Sequence, residues 1–93
     1  MKRVIPATAE IDIASAPQLG TAVLDSLAGG DRQVVVDLSG VRLIDSAGIG
    51  VLLSLQRRAH ACGGEVILAN ASDHVRRVFA LTGVERALNV SSA

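Results

Sequence analysis

Aromatic side chains are almost missing from this sequence: Phe79 is the only one among 93 residues, with no Trp or Tyr. That removes the usual stacking platform for single-stranded nucleic acid. A surplus of either charge is missing too. Nine basic residues balance nine acidic ones, so no broad field draws the chain to nucleic acid or to an anionic membrane. Cys62 is the sole cysteine, which excludes an internal disulfide and suits a reducing compartment. One thiol and two distant histidines, His60 and His74, do not compose a zinc site. No metal or other cofactor is expected. No stretch approaches the ~18 consecutive apolar residues of a spanning helix. Met1-Lys2-Arg3 leads into short mixed residues instead of the apolar core of a secretory signal. The expected location is the cytoplasm, without membrane insertion.

What the sequence has is aliphatic bulk: 49% of its residues are apolar, so the core must be built from Val, Leu, Ile and Ala. This length suits one domain over residues 1–93. Residues 3–5 and 9–13 read as short strands, with Glu10 and Asp12 alternating against Ile11 and Ile13. Ser15-Ala16-Pro17 opens a helix through a capping hydroxyl and a first-turn proline. Leu19, Val23, Leu24 and Leu27 line one of its faces, and Ala28-Gly29-Gly30 ends it. Val34-Val35-Val36-Asp37-Leu38 is a β-branched run of the kind buried on both faces. A helix follows from Ser46, closed by Gly63-Gly64, and Glu65–Ala69 returns as a buried strand, which implies a right-handed parallel crossover. Ser72 or Asp73 caps a third helix that presents Val75, Val78, Phe79 and Leu81 or Thr82 to the core and stops at Gly83. Ala87–Val90 reads as a last short strand, and residues 91–93 as a disordered tail. The alternation predicts a small α/β domain. Its sheet is mainly parallel, mixed, with four to five short strands and helices packed against it.

The turn Asp45-Ser46-Ala47-Gly48-Ile49-Gly50 joins strand to helix, and both Asp45 and Ser46 are good N-cap types. Ser46 has three readings: a plain cap, a nucleophile, or a phosphorylation site at a helix end that welcomes the added charge. On a helical wheel, Gly48, Val51, Leu52, Leu55, Ala59 and Cys62 gather on the side that meets the sheet. Ser46, Ile49, Gly50, Leu53 and Arg57 form another stripe, with Gln56 and His60 beside it toward water. That stripe reads either as a docking surface or as a face packed under a neighbouring helix. Periodicity does not choose.

Enzymatic activity is not expected. His60 lies roughly 20 Å along the helix from Ser46 at 1.5 Å per residue, too far to serve as its base. Gly48-Ile49-Gly50 lacks both the lysine of a P-loop and the third glycine of a dinucleotide fingerprint.

Asp45-Ser46-Ala47-Gly48-Ile49-Gly50, preceded by Val34–Ser39 and Leu43-Ile44, resembles the signature of the STAS domain family, and of its free-standing anti-sigma factor antagonists in particular. Ala9–Ala16, Cys62–Ala69 and Val75–Gly83 extend the likeness over almost the whole chain. Members usually bring a longer first strand, so a short N-terminal sheet edge is expected here, and Ala9 replaces a usual glycine. The resemblance implies a partner-switching function. The unphosphorylated protein binds an anti-sigma factor that is also a serine kinase, and so frees the sigma factor. Phosphorylation of the serine matching Ser46 breaks the complex, and a serine phosphatase resets it. Asp45, Ser46, Ile49, Gly50 and Leu53 then form the partner surface. Asp12 matches an acid that lies near that serine in the family, although by itself it reads equally as a turn former. Ala47 stands where Ser or Thr is common, leaving Ser46 as the only hydroxyl of the motif. The expected state is a monomer or weak homodimer. Other family roles stay open: a subunit of a lipid-transport ATPase, or a scaffold subunit of a stress-sensing assembly. The switch reading requires the Ser46 hydroxyl to be open to solvent and Ile49 and Leu53 to be uncovered.

Overall fold

A computed structural model of the chain describes residues 2–91. Its strands are Lys2–Pro6 (β1), Glu10–Ile11 (β2), Gln33–Asp37 (β3), Leu43–Ile44 (β4), Glu65–Ala69 (β5) and Asn89–Val90 (β6). The helices are Ala16–Ala28 (α1), Ser46–Ala61 (α2) and Asp73–Thr82 (α3), with a 3-10 turn at Val84–Arg86 that the sequence reading lacks. Four strands form one sheet in the order β1-β3-β5-β6, and β2-β4 form a separate short ladder. All the ladders among the described residues are parallel. Each strand–helix–strand step returns the chain in the same direction, as the alternating pattern requires. The short N-terminal edge is nonetheless fully used, with all five residues of β1 in register with β3.

One aliphatic cluster holds these elements together. Val34 and Val36 of β3, Val66 and Leu68 of β5, Leu19 and Val23 of α1, and Leu52 and Leu55 of α2 all belong to it. Val75 and Phe79 bring α3 to the same cluster. Fully burying a side chain of this size contributes about 1.5–3 kcal/mol, so the core needs no aromatic stacking. Glycine closes the helices where predicted: Gly30, Gly63 and Gly83 take φ of 98°, 76° and 72°, a region costly for any side chain.

Several boundaries differ from expectation. The strand at 9–13 keeps only Glu10–Ile11, and Ile13 is 78% exposed instead of alternating inward. Leu81 is 80% exposed because α3 turns its last residues to solvent, leaving Val75 and Phe79 as its buried pair. Cys62 is exposed beyond the end of α2. The last strand starts at Asn89. Of the expected disordered tail, Ser91 donates its N–H to the Leu68 carbonyl at 2.8 Å, while residues 92–93 lie outside the described residues.

Gln56 is the largest departure. Expected at the water side, it is 4% exposed. Its Nε2 donates to the Val66 carbonyl at 3.0 Å, and its Oε1 accepts the Val66 N–H at 2.8 Å. The side-chain amide does for Val66 what a neighbouring strand would do, and so fastens α2 to β5. Truncation leaves a buried donor and acceptor unmatched. Gln56→Ala therefore costs about 2–4 kcal/mol, read as a lower urea midpoint at unchanged m. A loss below ~0.5 kcal/mol would mean that water replaces the amide.

Candidate functional site

The mouth of α2 is built by the β2-β4 ladder beneath it. Ile11 pairs with Ile44, and the Ile11 carbonyl then accepts the Asp45 N–H at 3.2 Å. Asp45 is the N-cap: its backbone is extended, and its Oδ1 accepts the Gly48 N–H at 2.9 Å. The Asp45 carbonyl accepts the Ile49 N–H at 3.0 Å, the first bond of the helix. Ser46 is thus the first helical residue and does not cap. Asp45 and Ser46 are both exposed, so the hydroxyl stands open at the positive end of the helix dipole.

Gly48 shows why the helix can sit so low. A Cβ at this position would lie 2.2 Å from the Ile11 carbonyl oxygen and 2.8 Å from Ile11 Cγ2. No side chain fits there.

The proposed docking stripe divides. Gly50 is exposed with open space around it. Leu53 is half-buried and packs against the core. Ile49 is a correction: at 7% exposure it belongs to the core cluster and offers no surface to a partner. The buried face of α2 carries Gly48, Ile49, Leu52, Leu55, Gln56 and Ala59, rotated from the predicted one toward β2 and β5. Exposed apolar surface comes instead from Ile13 and from Leu43, which is 57% exposed. Leu43, opposite Glu10, points away from buried Ile44, a placement that strand alternation could have revealed. Ile13 gave no such signal, because the strand ends before it.

Asp12 organises the loop beside this mouth. Its Oδ1 accepts the N–H groups of Ala14 at 3.0 Å and Ser15 at 2.9 Å, and lies 3.1 Å from Ser15 Oγ. The Ser15 hydroxyl is also 2.5 Å from the Glu10 carbonyl, so it makes no capping bond to α1, contrary to expectation. These contacts assign Asp12 the role of turn former. The Ser15 N–H, followed by the Ser15 hydroxyl and the Ala14 N–H, holds its carboxyl below its ordinary pKa against a raising effect of desolvation. At the end of β3, Asp37 is lowered by the Ser39 N–H and then by Asn70.

These features define a class: a small α/β domain that displays a serine at the exposed start of a helix seated on a two-strand ladder. The chain belongs to the STAS domain family; the family model described as "Mlab, STAS domain" matches residues 2–90. It is 34% identical over 73 residues to BtrV of Bordetella bronchiseptica, described as a candidate anti-sigma factor antagonist. That match covers 78% of this chain but only 63% of BtrV, so the chain spans less than two thirds of that relative. It is 26% identical over 82 residues to the anti-sigma-B factor antagonist of Staphylococcus aureus, covering 88% of this chain and 76% of that one. In fold it resembles the Bacillus anti-sigma factor antagonist SpoIIAA in its unphosphorylated form, with a TM-score of 0.78 at 24% identity over 98% of this chain and 81% of that one. No helix among the described residues is long and apolar enough to cross a membrane.

The lowered pKa of Asp12 fixes a pH signature. A carboxyl whose folded pKa is depressed adds stability above its unfolded value and loses it as pH falls through the folded one. The stability gap between the wild type and Asp12→Asn is therefore widest near neutral pH and closes in acid. Carboxyl NMR titration places the Asp12 midpoint below the ordinary aspartate value. A gap that widens on acidification would contradict the assigned contacts.

Proposed function

We propose that this protein is a cytoplasmic anti-sigma factor antagonist switched at Ser46. In its unphosphorylated form it binds an anti-sigma factor with serine kinase activity and so releases the sigma factor. Phosphorylation of Ser46 abolishes that binding, and a serine phosphatase restores it. The observation that carries the reading is the exposed Ser46 at the first position of α2, in a chain whose relatives are named as antagonists.

The chemistry separates docking from folding. A phosphoryl group adds about −1.5 to −2 charges at neutral pH. At the start of α2 this charge meets the positive end of the helix, so the fold tolerates it. Asp45 already places a carboxylate at the same exposed mouth. A partner closing over both must desolvate a dianion next to another anion, which costs several kcal/mol without a matching cation. Gly50 and the exposed part of Leu53, on the same helix, supply contact surface beyond the hydroxyl, and exposed Ile13 extends the apolar surface of the domain. Asp12 holds the Ile13 loop in shape, and Ile49 supports the helix from inside.

Incubation with the cognate kinase and ATP adds one phosphate to the wild type by intact mass and none to Ser46→Ala. Phosphorylated protein, and Ser46→Asp more weakly, lose at least ~100-fold in affinity for the partner, about 2.7 kcal/mol, while far-UV circular dichroism is unchanged. Phosphate retained by Ser46→Ala overturns the assignment. Binding indifferent to phosphate does so too, in favour of a constitutive subunit. Gly50→Ala provides a second check. It raises stability by roughly 0.5–1 kcal/mol and weakens partner binding, because a methyl group enters open surface.

A further inference from the structure

The main sheet has a second face. Val34, Val36, Val66 and Leu68 turn toward the core cluster, so the residues between them point the other way. Register aligns Val4, Val35 and Ile67 in one row across β1, β3 and β5. Val4 is 58% exposed, Ile67 is half-buried, and Val35 between them is 9% exposed; none of the three belongs to the cluster under the helices. The next row toward the strand starts is Lys2, Gln33 and Glu65. It runs from a cation at the sheet edge to an anion two strands away. Such a face is complementary to itself.

We propose that this face is a contact between two copies of the chain, packed sheet on sheet about a twofold axis along β3. Rotation about that axis reverses strand order but preserves the position of each row. Val4 lies over Ile67 of the second copy and Lys2 over Glu65 of the second copy, while Val35, nearly buried, sits on the axis between them. Every pairing occurs twice, as an isologous interface demands. Aligned sheets pack about 10 Å apart with this sense of strand direction. Glu65 is already oriented, since its Oε2 accepts the Asn89 Nδ2 donor at 2.7 Å.

Other features limit its strength. Three strands about 4.8 Å apart and five residues long give a flat footprint of roughly 200 Å² per copy, well short of a standard interface of about 800 Å² per partner. Asp37 shares the face and lies near the axis, opposite its own copy. Hydrogen bonds from the Ser39 N–H at 3.0 Å and Asn70 Nδ2 at 3.1 Å spread that charge without removing it. The dimer is therefore weak and concentration-dependent, with Kd on the order of 100 µM.

Sedimentation velocity of the full chain between micromolar and millimolar concentration tests the geometry. The wild type shifts from monomer to dimer across the range. Lys2→Glu and Glu65→Lys each weaken association about tenfold, because each turns two attractive pairs into repulsive ones. The combined charge swap restores association to within about threefold of the wild type. Ser46→Asp leaves it unchanged, since α2 takes no part. A wild type that stays monomeric at 1 mM overturns the proposal. So does an unaffected single variant, an unrestored swap, or a dimer that responds to Ser46→Asp. Lys2 is exposed on an edge strand, so Lys2→Glu remains decisive even if a Glu65 variant fails to fold.

Discussion

The seat of α2 on the Ile11 carbonyl fixes everything near Ser46. Gly48 lets the first turn come down until only a missing Cβ separates helix from strand. The same carbonyl accepts the Asp45 N–H, so one oxygen ends the β2-β4 ladder and positions the start of the helix. Any side chain at position 48 must lift α2, break the Asp45 bond, or shift β2. Each of these would also move the Ser46 hydroxyl. A small packing requirement deep in the ladder is thus transmitted to a surface atom, because close-packed interiors pass strain on without absorbing it.

The same seat explains what could and could not be read in advance. Glycine stops, the β-branched β3 and the aliphatic strand at 65–69 are local signals, and they led to the right elements and to a parallel α/β sheet. The rotation of α2 is not a local property. A helical wheel ranks faces by polarity, and Gln56 pulled the predicted water side toward itself. In the folded chain its amide completes Val66, a partner ten residues away that no window of helical periodicity contains. Once Gln56 turns inward, Ile49, seven residues earlier and nearly two turns back, turns with it. Ser46 and Gly50 stay at the surface, so the hydroxyl was legible and the apolar stripe was not. Ile13 was misplaced for the opposite reason. Its alternation with Ile11 is genuine in sequence, but the Asp12 carboxylate takes the Ala14 and Ser15 amides and ends the strand first.

Carboxylates around the mouth do two jobs that pull against one another. Asp45 caps α2 and Asp12 closes the adjoining turn, each by accepting backbone N–H groups. A phosphoryl group on Ser46 would be welcomed by the helix end yet opposed by its acidic neighbour. Within the proposed switch, that balance allows the modified protein to stay folded while the surface becomes unfit for a close partner. A basic mouth would have neutralised the phosphate within the chain and blunted the change.

Gly48 and Gly50 look equivalent in sequence, but the fold accounts for just one of them. At 48 a Cβ would collide with Ile11; at 50 it would meet nothing within 4 Å. A glycine inside a helix costs roughly 0.5–1 kcal/mol relative to alanine, and Gly50 recovers none of that through packing. It adopts no left-handed conformation either. Its neighbours on the surface are Ser46, one turn back, and half-buried Leu53, one turn on. A bare backbone between them makes a flat strip on which another chain can approach the helix closely. In the proposed switch that strip is where the partner seats, so the stability given up at Gly50 is set against closer approach in the complex.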